Sequence, residues 1–191
     1  MNIVKIFWFA RRKIKLSLKY YFFRFTGGSY FKTIGKNTQF FGRVRFGTIE
    51  NNISLGENCW IGHDVFFSAT RGATIQIGDN CSANTGCHIV ATNSIIIKNG
   101  TRIGEYCSIR DQNHAFDDLS TPIYKQGFFG SPITIGENCW IGRGVMITPG
   151  VTLGNGCVIG ANSVVTKSFE ADSVIAGVPA KFIRKRGQSK I

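Results

Sequence analysis

The sequence predicts an all-β protein, a parallel β-helix of stacked hexapeptide coils, and three observations carry that reading. Leu, Ile or Val, often followed by Gly, recurs at a spacing of six residues, the mark of a solenoid whose repeats bury a shared column. Glycine is abundant, 23 of 191 residues against 4 prolines, which suits tight turns better than a linker or a collagen-like chain. All six cysteines fall on one position of the six-residue unit. With 43% hydrophobic content the chain can bury a substantial core as one domain with small appendages.

Residues 1–28 form a basic amphipathic segment. The net charge of +12 is concentrated here, because no Asp or Glu precedes Glu50. Residues 3–25, IVKIFWFARRKIKLSLKYYFFRF, mix Trp, Phe, Ile and Leu with Lys5, Arg11, Arg12, Lys13, Lys15, Lys19 and Arg24. That composition fits a helix lying on an anionic membrane surface, and equally one packed on the β-helix end or on a sister subunit. Charge interrupts the apolar run too often for it to span a bilayer, and no secretory cleavage pattern is evident, so a cytoplasmic protein with peripheral contact to the membrane's inner face is expected. Basic and aromatic residues are interleaved, but no nucleic-acid-binding module is recognisable, and no nucleic-acid partner is expected.

Residues 29–175 carry the repeat. Leu55, Ile61 and Phe67 form one triplet, Ile77, Ala83 and Ile89 a second, and Ile97, Ile103 and Ile109 a third. After a break the heads Ile135, Ile141, Ile147, Leu153, Ile159 and Val165 run without interruption, two coils of eighteen residues. Six residues suit a short strand and a turn, and three units close a triangular coil with the aliphatic head inward. Coils then pair in parallel, leaving open edges only at the two ends, where residues 1–28 and the cap and basic tail at 176–191 are the natural covers. Periodicity does not settle the hand of the coil.

Cys59, Cys81, Cys87, Cys107, Cys139 and Cys157 each lie four residues after an aliphatic head. Their spacing is therefore the repeat's spacing, and free, buried thiols acting as small hydrophobes explain the set without disulfides or a metal.

The Ile-Gly hexapeptides, the run IGENCWIGRGVMITPGVTLGNGCVIGANSVVTK at 135–167 and AGVPAK at 176–181 resemble the hexapeptide acyltransferase superfamily over roughly residues 30–186. Within it the chain is similar to the maltose, galactoside and bacterial surface-polysaccharide O-acetyltransferases. The resemblance implies a left-handed coil, a homotrimer, acetyl-CoA bound between neighbouring prisms, and a saccharide acceptor. It implies transfer of acetyl to a sugar hydroxyl, of a bacterial surface polysaccharide or its precursor.

An alcohol is too weak an acid to attack a thioester at neutral pH, so a base must take its proton. The third triplet ends in Ile109-Arg110-Asp111-Gln112-Asn113-His114, directly before the break, and the resemblance makes His114 that base. Asp111 is a candidate to orient the imidazole, or a turn cap. The inserted loop at 115–132 offers Asp117, Asp118, Tyr124 and Phe128 as contacts to an acceptor or to CoA of a neighbouring subunit, since loops of this length are usually functional. Asn84 and Asn113 join Asp117 as candidate acceptor contacts, Asn84 by its match to an acceptor-binding Asn of the sugar acetyltransferases. For the CoA side the resemblance points to Trp140 as an apolar wall, the amide near Gly142 as oxyanion donor, and Ala161, Thr166, Lys167, Lys181 and Arg184. Trp60, in the near-duplicate GENCWIG of 56–62, has no such role, and Arg143 departs from the small residue common there. Lys185, Arg186 and Lys190 read as a solvated tail.

Several alternatives stay open. Related coils serve zinc enzymes with three histidines, but His63, His88 and His114 take scattered repeat positions, and no metal is expected. The acceptor of a sugar-nucleotide N-acetyltransferase or of a serine acetyltransferase is a second possibility. A non-catalytic β-helix scaffold is the reading of a different class.

Overall fold

A computed structural model describes residues 30–188, with Arg11, Ile14 and Leu18 ahead of them in exposed helix. The remainder of the amphipathic segment, and with it the expected packing or membrane contact of residues 3–25, lies outside the described residues. Among those described, no helix is long and apolar enough to cross a membrane.

Three flat sheets wrap one triangular column. Face A stacks the strands Phe31–Ile34, Ile53–Leu55, Thr74–Ile77, Ser94–Ile97, Ile133–Ile135 and Thr152–Leu153; all are parallel. Face B begins at Gln39–Phe40 and runs through Trp60–Ile61, Ser82–Ala83, Arg102–Ile103, Trp140–Ile141 and Val158–Ile159. Face C holds Val44–Phe46, Val65–Ala69, His88–Ala91, Ser108–Arg110, Met146–Ile147 and Val164–Val165. These make six coils. The register sets each head on the next, as in Ile103 on Ile141 and Ile109 on Ile147, so the aliphatic residues form unbroken columns that are 0–4% exposed.

The first coil lacks an aliphatic pattern and is therefore the least visible in the sequence. Its heads are Ile34, Phe40 and Phe46, still six apart, and Phe31 meets Phe40, Phe46 and Phe67 at 5.9, 5.2 and 6.2 Å between ring centroids. Aromatic volume closes this end of the column.

Where a glycine follows a head, as at Gly56 and Gly136, stacking imposes it. A Cβ on Gly56 would lie 2.6 Å from the backbone of Gly78 and Asp79, and one on Gly136 would lie 2.6 Å from Asn155 N and Gly154 C. All six cysteines are buried and free. Their thiols donate to carbonyls of the next coil, for example Cys59 to Gly78 O at 3.1 Å and Cys107 to Gly142 O at 3.1 Å. Thr38 and Thr101 take the same position and do the same with a hydroxyl.

Two domain boundaries move. The insertion is not a loop confined to 115–132: it is a two-stranded antiparallel arm, Gln112–His114 paired with Phe128–Gly130, joined through a 3-10 turn at Ile123–Lys125. The cap begins before residue 176, as strand Ser173–Gly177 continues face B in parallel and Ala180–Lys185 folds back antiparallel upon it. The tail stays at the surface, as expected, and is also tied down. Lys185 Nζ donates to Ala171 O at 2.7 Å and Arg186 Nη1 to Asn138 O at 3.4 Å; Lys190 lies outside the described residues.

Candidate active site

Each coil turns three corners. The corner between faces A and B carries Gly-Glu-Asn in the second and fifth coils and close variants of it elsewhere, and several of its side chains bond to the neighbouring coil. Asp79 Oδ1 accepts from Glu57 N at 2.7 Å, Asn99 Oδ1 from Asp79 N at 2.8 Å, and Asn155 Oδ1 from Glu137 N at 2.9 Å. Asn37, Asn58, Asn80 and Asn138 supply the left-handed turn there, with φ of 53–58°, which Asn tolerates. The candidate site residues lie at the other two corners.

Where face C hands over to face A, the arm leaves the fourth coil. Its base is held by Asp111, which is fully buried. The carboxylate accepts from Thr92 N at 2.7 Å, Asn93 N at 2.9 Å and Thr92 Oγ1 at 3.2 Å, while its carbonyl accepts from Ser131 N at 2.9 Å where the arm returns. Asp111 is thus a staple. No hydrogen bond joins it to His114, which corrects the expectation that it orients the imidazole: its side chain points to the corner of the preceding coil and is saturated there.

His114 sits three residues on, exposed, on the first arm strand rather than at the end of a coil. Its ring rests against Phe128 at 4.3 Å between centroids, 41° between planes. Asn113 and Asp117 are exposed on the same arm. Asp118 is turned inward on the arm's own loop, where the Ser120 hydroxyl donates to it at 2.6 Å; this bond, with help from Thr121, holds its carboxyl down at about 2. Gln126 closes that loop by donating to Asp118 O and Thr121 O. Leu119, Tyr124 and Phe128 are 100%, 76% and 61% exposed, an apolar display that the described residues leave largely uncovered. Thr166 and Lys167 are exposed at the same corner two coils further on, Lys167 over the Phe169 ring.

Where face B hands over to face C, Asn84, Gly142 and Ala161 follow one another along the stack, with Trp140 exposed on face B beside them. Asn84 Nδ2 donates to Glu105 Oε1 at 3.2 Å. The Gly142 amide donates to Ile159 O at 2.9 Å in the coil ladder, so it is not free to stabilise an oxyanion. The next amide, that of Arg143, has no hydrogen-bond partner among the described residues. The Arg143 guanidinium itself lies 5.3 Å over the Tyr106 ring. Lys181 is exposed on the closing strand of face B, whereas Arg184 turns back to donate to Lys185 O and Gln188 O.

The candidate residues therefore divide into two half-sites at opposite edges of face C, about 15 Å apart at the usual rise of a strand. His114, Asn113, Asp117, Thr166 and Lys167 stand at one edge; Asn84, Trp140, Gly142, Arg143 and Ala161 stand at the other. No hydrogen bond, ion pair or ring contact joins the two groups. The three histidines are similarly dispersed, His63 at the B–C corner, His88 on face C and His114 on the arm, and among the described residues no group of three or more His, Cys, Asp or Glu could hold a metal.

Comparison with known proteins gives this geometry a lineage. Residues 132–167 match the family described as bacterial transferase hexapeptide (six repeats). The chain is 39% identical over 133 residues to the galactoside O-acetyltransferase of Escherichia coli (strain K12), across 69% of this chain and 63% of that protein, so it spans somewhat less than two thirds of that relative. It is 36% identical over 143 residues to WbbJ of the same organism, a protein named for lipopolysaccharide-biosynthesis O-acetyl transfer, across 71% of this chain and 73% of that one. A solved galactoside acetyltransferase in complex with coenzyme A superposes with a TM-score of 0.54 at 32% identity, covering 81% of this chain and 65% of the other. The coil is a left-handed β-helix, and the chain belongs to the bacterial hexapeptide-repeat transferases.

Proposed function

We propose that the protein transfers the acetyl group of acetyl-CoA to a hydroxyl of a saccharide, at sites completed between subunits of a homotrimer. The observation that carries this is the division of the candidate residues between the two edges of face C. A neighbouring copy that sets its B–C corner beside this chain's C–A corner completes one site, and repeating that contact closes a ring. Three copies then present three equal sites, with the exposed apolar residues of each arm lying on the neighbour.

In such a site His114 takes the hydroxyl proton as the oxygen attacks the thioester carbonyl. The Arg143 N–H, held rigid in the coil, donates to the developing oxyanion. The carbon–sulfur bond then breaks, and the imidazolium returns its proton to the departing thiolate. Trp140 walls the pantetheine arm, while Lys167 and Lys181 meet the nucleotide phosphates. Transfer to a saccharide is favoured by the relatives, whose names specify galactosides and lipopolysaccharide. Under this reading the protein works in the cytoplasm, with residues 3–25 at the membrane where lipid-linked glycan precursors are assembled.

The test is acetyl transfer by the wild type and by His114→Ala, scored by product mass against a panel of cell-surface glycans and lipid-linked oligosaccharides. The variant is expected to lose transfer while keeping acetyl-CoA affinity and the mass of a trimer in light scattering. Full activity in the variant defeats the base assignment, and a monomeric wild type that is fully active defeats the shared site.

A further inference from the structure

The B–C corner presents a different set of side chains at each coil, most of them polar. From the first coil to the sixth it presents Arg43, His63 with Asp64, Asn84 with Thr85, Glu105 with Tyr106, Arg143, and Ala161. The last two belong to the donor half and Asn84 to the acceptor half of the proposed reaction. The first two coils, beyond Asn84 on the acceptor side, have no part in it.

They are nonetheless organised. Arg43 donates to Asp64 Oδ1 through Nε at 2.9 Å and approaches it through Nη2 at 2.8 Å, while His63 Nδ1 meets Asp64 Oδ2 at 2.7 Å. The carboxylate so locks two planar side chains, leaving His63 Nε2 and the remaining Arg43 donors for an outside partner. The side chains of Arg43 and His63 are 70% and 58% exposed. On the face B side of the same corner Trp60 is 47% exposed, its ring stacked on Phe41 at 4.1 Å and 23°. The next residue of its column, Ser82, is buried and belongs to the coil of Asn84.

A rigid indole face beside planar hydrogen-bonding groups suits a sugar ring, which offers an apolar C–H face and equatorial hydroxyls to such surroundings. Asn84 and the Trp60–His63–Asp64 coil are one step of the stack apart, about 4.8 Å. We propose that Trp60, Arg43, His63 and Asp64 form a second saccharide subsite, so that the acceptor is an oligosaccharide or polysaccharide lying along the B–C edge, with its acetylated ring at Asn84. This rests on the saccharide reading of the function.

The test compares acetylation of a monosaccharide methyl glycoside with that of the tetrasaccharide fragment of the same surface glycan, across the panel above. For the wild type, kcat/KM is expected to rise about tenfold with length, as one stacked ring and its hydrogen bonds would give. In Trp60→Ala and in His63→Ala that ratio falls toward one. Acetyl-CoA affinity, measured on each variant, reports that the coil is folded. A wild-type ratio near one, or a ratio unchanged in both folded variants, overturns the subsite alone. Binding of acetyl-CoA with no saccharide of any length acetylated overturns the saccharide reading and the subsite with it.

Discussion

Asp111→Ala separates a structural staple from a catalytic partner. The wild-type carboxylate has no solvent exposure and accepts three hydrogen bonds of 2.7–3.2 Å, two of them from backbone amides of Thr92 and Asn93. Hydrogen bonds to a charged acceptor contribute about 1.5–3 kcal/mol each when buried. Thr92 is only half-buried and Asn93 is exposed, so water can reach their amides once the carboxylate is gone. Discounting for that, the loss should be ~3 kcal/mol for Ala and ~1–2 kcal/mol for Asn, which keeps one carbonyl acceptor but turns an amide donor toward an N–H. Urea unfolding at fixed protein concentration would measure it, the concentration being held because association between copies shifts the midpoint. Since the arm leaves and returns at this residue, kcat should fall with the loosening of His114, while the pH at which kcat/KM is half-maximal stays in place. A variant of wild-type stability whose pH profile moves would refute the staple and restore Asp111 as the imidazole's partner.

Other perturbations probe other parts. Gly136→Ala places a methyl 2.6 Å from the backbone of the next coil, and should lower stability by about 1–3 kcal/mol in the same unfolding assay. A thiol reagent should modify no cysteine in the native protein and all six after denaturation, because every thiol is buried in the column and burial also pushes Cys81 up to about 11; rapid native labelling would contradict their placement. The Asp118 carboxyl is depressed from 3.8 to about 2, so its contribution to arm order is complete above its ordinary value and disappears as pH falls through about 2. An NMR titration of the Ser120 amide should show that midpoint, and Asp118→Asn should increase proteolysis within 115–127 at neutral pH.

The column was legible because it is written locally. Within each coil from Leu55 to Val165 the buried heads keep the six-residue spacing, and each cysteine inherits its burial from that spacing. The first coil escaped because Phe40 and Phe46 replace aliphatic heads where the column is plugged. Trp60, Arg43, His63 and Asp64 were likewise missed as a group: the Gly-Glu-Asn-Cys-Trp-Ile-Gly repeat disguises Trp60, and Arg43 is 21 residues from Asp64. A departure from the repeat at one corner in successive coils was the available signal.

By itself, then, the sequence determined the coil, which residues face inward, the burial of the cysteines and the place where the repeat is interrupted, since all of these follow from a period shorter than a turn of the stack. Only the tertiary structure decided which corner each polar residue occupies and what it touches. Hydrogen bonds between coils join residues about twenty apart, and they alone commit the Gly142 amide to the ladder and leave that of Arg143 without a partner among the described residues. They also saturate Asp111 at Thr92 and Asn93, and set His114 and Asn84 at opposite edges of one face.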